Sequence, residues 1–234
     1  MTKLVTTLAA LVAVEEGAVD LDQAAGPPGS TVRHLLAHAS GLGFEGRRIL
    51  APPGRRRIYS NAGFELVAET VAEGARMRFP QYAAEGVLHP LGMAASRLEG
   101  SAAKGLVGPL DDMVRLAREL ESPTLVAAPT LAEATRVAFP GLPGVMPGFG
   151  RQAQLDWGLG FEVRDGKSPH WTGTANSPAT FGHFGQSGSF LWVDPVAGLA
   201  CAVLSGATFG PWCKTAWPAL SDAVLAEMGP ARAG

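Results

Sequence analysis

The sequence predicts an α+β fold, and three observations carry that expectation. Helical periodicity extends from the N-terminus to about Phe139; from Asp156 onward, short apolar stretches bounded by turn residues replace it; and a last helical segment closes the chain. The opening run, Met1 to Gly17, sets the frame. Leu4, Val5, Leu8, Ala9, Leu11, Val12 and Val14 leave no polar stripe wide enough for a surface face, so protein is expected to wrap this helix on most sides. Its one basic side chain, Lys3, sits in the first turn, where a cation opposes the helix dipole and burial adds a desolvation cost. Taken alone, the stretch fits a fraying end with a solvated Lys3.

Gly17 suits the position just past the first helix. A connector closes at Ser30 or Thr31, either of which can cap TVRHLLAHASGLG, where His34 and His38 share one helical face. That i, i+4 spacing is metal-ligand geometry, but no H-E-x-x-H glutamate or third ligand accompanies it, and a histidine bonded to loop backbone is expected instead. APPGRRRIYSN leads by turns into the helix NAGFELVAETVAEG, which Gly74 is expected to end. Arg55, Arg56 and Arg57 read as a solvated turn or an anion-attracting rim. A short helix follows, stopped before Pro90. The next carries Pro109 near its first turn and Asp111 and Asp112 where the dipole favours acids. PTLAEATRVAF is a last helical piece before the unpatterned loop PGLPGVMPGFG. WGLGFEVRDG, HFGQSGSFLWVDP and GLACAVLSGA read as strands, the last two consecutive and antiparallel, and PWCKTAWPALSDAVLAEMG as a helix interrupted at Pro218.

A chain of 234 residues, 47% hydrophobic and 17% charged, can bury a large core. The opening run is too short and too polar to span a membrane and has no signal-peptide pattern, which leaves the cytoplasm as the default location. A net charge of −2 gives no electrostatic case for nucleic acid. Cys201 and Cys213 have no disulfide or zinc spacing and are expected to be core thiols.

Lys3 at the start of a buried helix, Tyr59-Ser60-Asn61 before a second and His183-Phe184-Gly185 on a strand stand in a telling order. With MTKLVTTLAALVAVEEGAVDLD, LLAHASGLG, YSNAGFELVAE, HPLGMAASRL, GLVGPLDDMVRLAREL, WGLGFEV and GHFGQSGSFLWVDPVAGLACAVLS, they make the chain resemble the serine β-lactamase-like family, which includes class C β-lactamases, D,D-peptidases and esterases. The resemblance implies acyl transfer through a serine ester, without metal or organic cofactor. A serine hydroxyl needs a base to take its proton as it attacks. By resemblance Lys3 is the lysine of S-x-x-K, Tyr59 shares the proton relay as phenolate or phenol, and Asn61 holds the substrate's acyl side chain. His183 opens the third motif, Gly185 lets substrate lie along the strand edge, and the Gln186 N–H is an oxyanion donor.

The sequence departs from the family pattern in two places. The serine belongs three residues before Lys3, a position the sequence does not reach, and the family's preceding strands are likewise outside it. The expectation is therefore an N-terminally truncated enzyme whose start lies upstream, inactive as given, or a non-catalytic binding protein that keeps the cleft. Phe184 stands where a hydroxyl commonly bonds a substrate carboxylate, which leans toward a small ester over β-lactams, peptidoglycan stems or other amides. Ser101-Ala-Ala-Lys104 matches S-x-x-K, but Gly105, Gly108 and Pro109 deny it a continuous helix, and Gly185-Gln186-Ser187-Gly188 is no nucleophile elbow. The resemblance implies one domain over 1–234: an antiparallel sheet (156–234) packed with helix 1–17 and the last helix, a mainly helical region at about 30–139, and the site between. With the family's covering strand absent, Leu199 to Ser205 are expected to form an exposed edge through which chains could pair.

Overall fold

The structure, a computed structural model, describes residues 1–229. Helix α1 (Thr2–Glu15) is central: Leu4, Val5, Leu8 and Leu11 are fully buried. It ends as expected, with Gly17 in the left-handed region, while the Ala18 and Val19 N–H groups close on the Ala13 carbonyl. Thr31 caps α2 (Val32–Leu36), which stops before His38 because that residue takes a positive φ. His34 and His38 therefore do not share a helical face; His34 stacks on Phe139, and His38 accepts the Ser60 N–H at its Nδ1. No metal-holding cluster occurs among the described residues.

Ser60 caps α3 (Asn61–Ala75), its hydroxyl accepting from the Gly63 N–H at 2.9 Å. Gly74 does not end this helix; Arg76 does, in the left-handed region. Gly74 serves a close approach instead, since a Cβ there would stand 2.1 Å from the Ala18 carbonyl. Arg57 is neither solvated nor at a rim: it is buried and donates to the carbonyls of Ala37, Ala138 and Phe139, while Arg55 and Arg56 are exposed. Helix α4 (Phe79–Ala83) continues as a π-helical turn, Ala84–Leu88, and stops before Pro90. A small hairpin, β1 (Arg97–Leu98) and β2 (Leu106–Val107), precedes α5 (Leu110–Glu121) and α6 (Ala128–Ala134). The expected Pro/Gly loop contains a second hairpin, β3 (Gly144–Met146) and β4 (Gly150–Gln152).

The main sheet is antiparallel in the order β5 (Glu162–Val163), β6 (Phe181–Phe184), β7 (Phe190–Asp194), β8 (Leu199–Val203), followed by α7 (Cys213–Met228). The stretch read as a strand from His183 to Pro195 is two strands joined by the turn 185–189. Alternation along the strands serves two cores. Phe181, Leu191 and Val193 join the cluster around α1, whereas Phe190 and Trp192 join Cys213 and Trp217 of α7 on the other face. Cys213 is a core thiol; Cys201, on β8, is only half-buried. Strand β5 is much shorter than the sequence suggests. The buried Glu162 carboxylate takes Lys167 at 2.8 Å and His170 at 2.9 Å, together with the Trp171 indole, so the chain wraps back after Val163 instead of extending.

Candidate active site

A cleft of about 610 Å³ opens where the start of α1, the approach to α3, the end of β6 and the segment before β2 meet. Lys3, Tyr59, Asn61, His183, Gly185 and Gln186 all line it. Lys3 is 3% exposed. Its amine donates to Asn61 Oδ1 at 2.6 Å and to the Ala103 carbonyl at 3.1 Å and lies 4.6 Å from the centroid of the Tyr59 ring. Burial lowers its pKa to about 7, against the opposing pull of Glu45 and Glu65. A buried amine poised there can accept a proton at neutral pH.

Tyr59 sits in an aromatic collar of His38, Phe44, Trp157 and His183. Burial pushes its hydroxyl pKa upward, so it is a phenol and not a phenolate at neutral pH. His183 Nδ1 faces the Phe184 carbonyl, which makes it the protonated nitrogen; Nε2, 3.4 Å from the Tyr59 hydroxyl, is then an acceptor. Burial holds His183 neutral, well below the usual histidine range. Tyr59 and His183 thus form a neutral hydrogen-bonding pair beside Lys3.

Asn61 is clamped at both ends, its Nδ2 donating to Glu45 Oε1 at 2.9 Å while its Oδ1 accepts from Lys3. Flipping the amide would set NH₂ against an amine and oxygen against a carboxylate, so one orientation is enforced. Past β6, the Gly185 N–H pairs with the Ser189 carbonyl at 3.0 Å, and a Cβ on Gly185 would meet nothing closer than Ser187 Oγ at 3.6 Å, so the space in front of it is cleft. Among the described residues the Gln186 N–H has no hydrogen-bond partner. Phe184 packs its ring among Phe149, Trp171, Phe209 and Trp217, 5.4 to 5.8 Å between centroids.

The site also contains groups that the sequence did not reveal. Glu45 joins Asn61 to Lys104 Nζ at 2.9 Å, and the Ala103 carbonyl faces Lys3 across a separation of 100 residues. No local pattern marks such partners. Trp157 lay in a quoted motif, but only its place in the collar assigns it to the cleft. Of the serines considered in the sequence, Ser101 gives its hydroxyl to Glu65 and Ser187 lies on the cleft wall; neither bonds Lys3.

The family model described as Beta-lactamase matches residues 1–224. No match was found among curated proteins. Among solved structures, a beta-lactamase from Mycobacterium bovis is 55% identical over 97% of this chain and 84% of its own, with a TM-score of 0.95. Simvastatin synthase from Aspergillus terreus is 18% identical, covering 100% of this chain and 83% of its own, at a TM-score of 0.76. EstCE1, a hydrolase with promiscuous acyltransferase activity, is 19% identical over 89% and 78%, at 0.70. The last two likenesses are of fold alone.

Proposed function

From the premise that this chain belongs to the beta-lactamase family, we infer that its cleft serves serine-type acyl transfer, with hydrolysis of a small uncharged ester as the outcome. The observation that carries this reading is the buried Lys3 amine, held by Asn61 and the Ala103 carbonyl beside the Tyr59–His183 pair. A serine one residue before Met1 would stand one helical turn from Lys3. The neutral amine takes the hydroxyl proton as Oγ attacks the ester carbonyl, the Gln186 N–H meets the developing oxyanion, and Tyr59 as phenol passes a proton to the departing alkoxide. The Lys3 ammonium then returns the proton it took to the Tyr59 phenolate, which restores amine and phenol; water attacks the acyl-serine with the amine again as base, and Tyr59 protonates the serine oxygen as it leaves.

Preference for an ester over a β-lactam or a D,D-peptide rests on charge. Phe184 offers a ring where a carboxylate would need a hydroxyl, and the ammonium of Lys104 at the mouth is already paired with Glu45. A chain without a serine in register with Lys3 is expected to be inactive. The second reading is a binding protein that keeps the cleft. Self-association belongs to the proposal as well: among the described residues β8 pairs only with β7, although its residues Leu199–Val203 are half-buried and not exposed as expected.

The test is turnover of p-nitrophenyl esters by the 234-residue chain and by a chain extended with serine directly before Met1. The expected result is no turnover above a Lys3→Ala background in the first and activity in the second, with Lys3→Ala and Tyr59→Phe each costing about two or more powers of ten. An extended chain inert to esters, amides and β-lactams favours the binding protein.

A further inference from the structure

The segment Ser101-Ala-Ala-Lys104 has no place in the mechanism, yet it is tied to the site from three sides. From α1, Thr6 Oγ1 donates to the Ala102 carbonyl at 2.6 Å and Lys3 Nζ to the Ala103 carbonyl at 3.1 Å. From the loop before α3, Glu45 takes Lys104. From α3 itself, Glu65, one turn after Asn61, accepts the Ser101 hydroxyl and faces the N–H groups of Ala102 at 3.2 Å and Ala103 at 3.4 Å. One side chain thereby gathers three donors from consecutive residues.

We propose that Glu65 is a positioning residue, which holds the Ser101–Ala103 loop so that the Ala103 carbonyl fixes the direction of the Lys3 amine. The inference rests on the reading of Lys3 as base. A neutral amine has two N–H bonds and one lone pair. With one N–H on Asn61 Oδ1 and the other on the Ala103 carbonyl, the lone pair takes the remaining tetrahedral direction and is free to receive a proton. Among the described residues the Lys3 amine makes no third hydrogen bond; the Tyr59 and Phe64 rings flank it at 4.6 and 5.3 Å from their centroids. Lys3 is 3% exposed with this loop against it, and without the Ala103 carbonyl the amine would rotate about its carbon–nitrogen bond and its lone pair would lose a set direction. Asn61 and Glu65 are four residues apart on one face of α3, so a single helix places both the acceptor and the clamp.

The titratable groups around Lys3 make the test one of sign. Glu45 and Glu65 raise its pKa and Lys104 lowers it; the Met1 amino group, His38, His183 and Tyr59 are the other neighbours. If Glu65 acts only as a charge, removing it lowers the Lys3 pKa. If it acts as a clamp, removing it frees the loop, admits water and raises that pKa toward the ordinary lysine value.

The experiment is a pH titration of the lysine side-chain resonances in the 234-residue chain, Lys3 being distinguished from Lys104, Lys167 and Lys214 by substitution, together with amide exchange at Ala102 and Ala103. In Glu65→Ala the Lys3 midpoint is expected to rise by about one pH unit or more, and exchange at both amides to quicken at least tenfold. Should that variant fail to fold, Glu65→Gln, which keeps one acceptor, is expected to move both readouts in the same direction by less. A Lys3 midpoint that falls or stays put in a folded variant, or unchanged exchange, overturns the clamp. Failure of the base reading shows separately, in the unmutated chain, as a Lys3 that titrates near its ordinary value.

Discussion

Lys3 is costly to the fold, and its cost has a definite pH dependence. Its folded pKa of about 7 lies below the unfolded value of about 10.5. Between those two values the unfolded chain binds more protons, so stability rises with pH across the window, and the penalty is fully present below 7. Lys3→Met is therefore expected to raise the melting temperature at pH 6 by about 2–4 °C or more, with a gain that shrinks toward pH 10, readable by calorimetry. A gain independent of pH would place the lysine outside the buried cleft. In the serine-extended chain the same titration predicts ester hydrolysis that rises as pH passes through about 7. Asn61→Asp puts a carboxylate on the amine and should move that limb upward by about one pH unit or more. The apolar run alone fits a solvated Lys3 as well as a buried one, and the sequence discloses its role only through its order with the other motifs. It disclosed Tyr59, Asn61 and His183 only through motif order, and it could not disclose Glu45 or Glu65, whose partners arrive from chain segments 16 to 59 residues away.

At the scale of elements, the helices were legible and the strands less so. Stop residues mark α1 and the short helix of α4 and its π-helical turn closely, since Gly17 and Pro90 act through local backbone chemistry, whereas α3 runs past Gly74 to Arg76. Strand β5 is shorter than its sequence implies because its length is set by where Glu162 finds its cations, a tertiary matter. Burial alone would raise the Glu162 pKa, but His170 and Lys167 overcome it and hold the carboxyl below the usual range. That contribution to stability is present above the ordinary glutamate pKa and is lost as pH falls through the depressed one. Glu162→Ala leaves Lys167 buried without its carboxylate and is expected to cost about 3–5 kcal/mol in denaturant unfolding at pH 7. A loss below about 1 kcal/mol would mean that the pair is no better than an exposed one. Gly74 and the β3–β4 hairpin show the same limit, because a close approach to Ala18 or a pairing of Gly144 with Gln152 leaves no local pattern.

Across the whole molecule, α1 joins what the sequence divided into a helical region and a sheet. Its cluster includes Val67 and Leu116 from the helices and Phe181, Leu191 and Val193 from the strands. One shared core predicts a single cooperative transition on heating, with calorimetric and van't Hoff enthalpies in agreement, and two separated transitions would divide the chain into two domains. The β8 edge predicts association that grows with concentration in light scattering; a monomer throughout the accessible range would count against that pairing. The claim that unites these scales is that α1 brings a neutral amine to the point where an acyl-serine forms. Its most direct measurement is the mass of the serine-extended chain quenched during p-nitrophenyl ester turnover. One acyl group per chain is expected, mapped to the serine before Met1 and absent in Lys3→Ala. An acyl group on Ser101 or Ser187, or one that forms equally fast without Lys3, would contradict it.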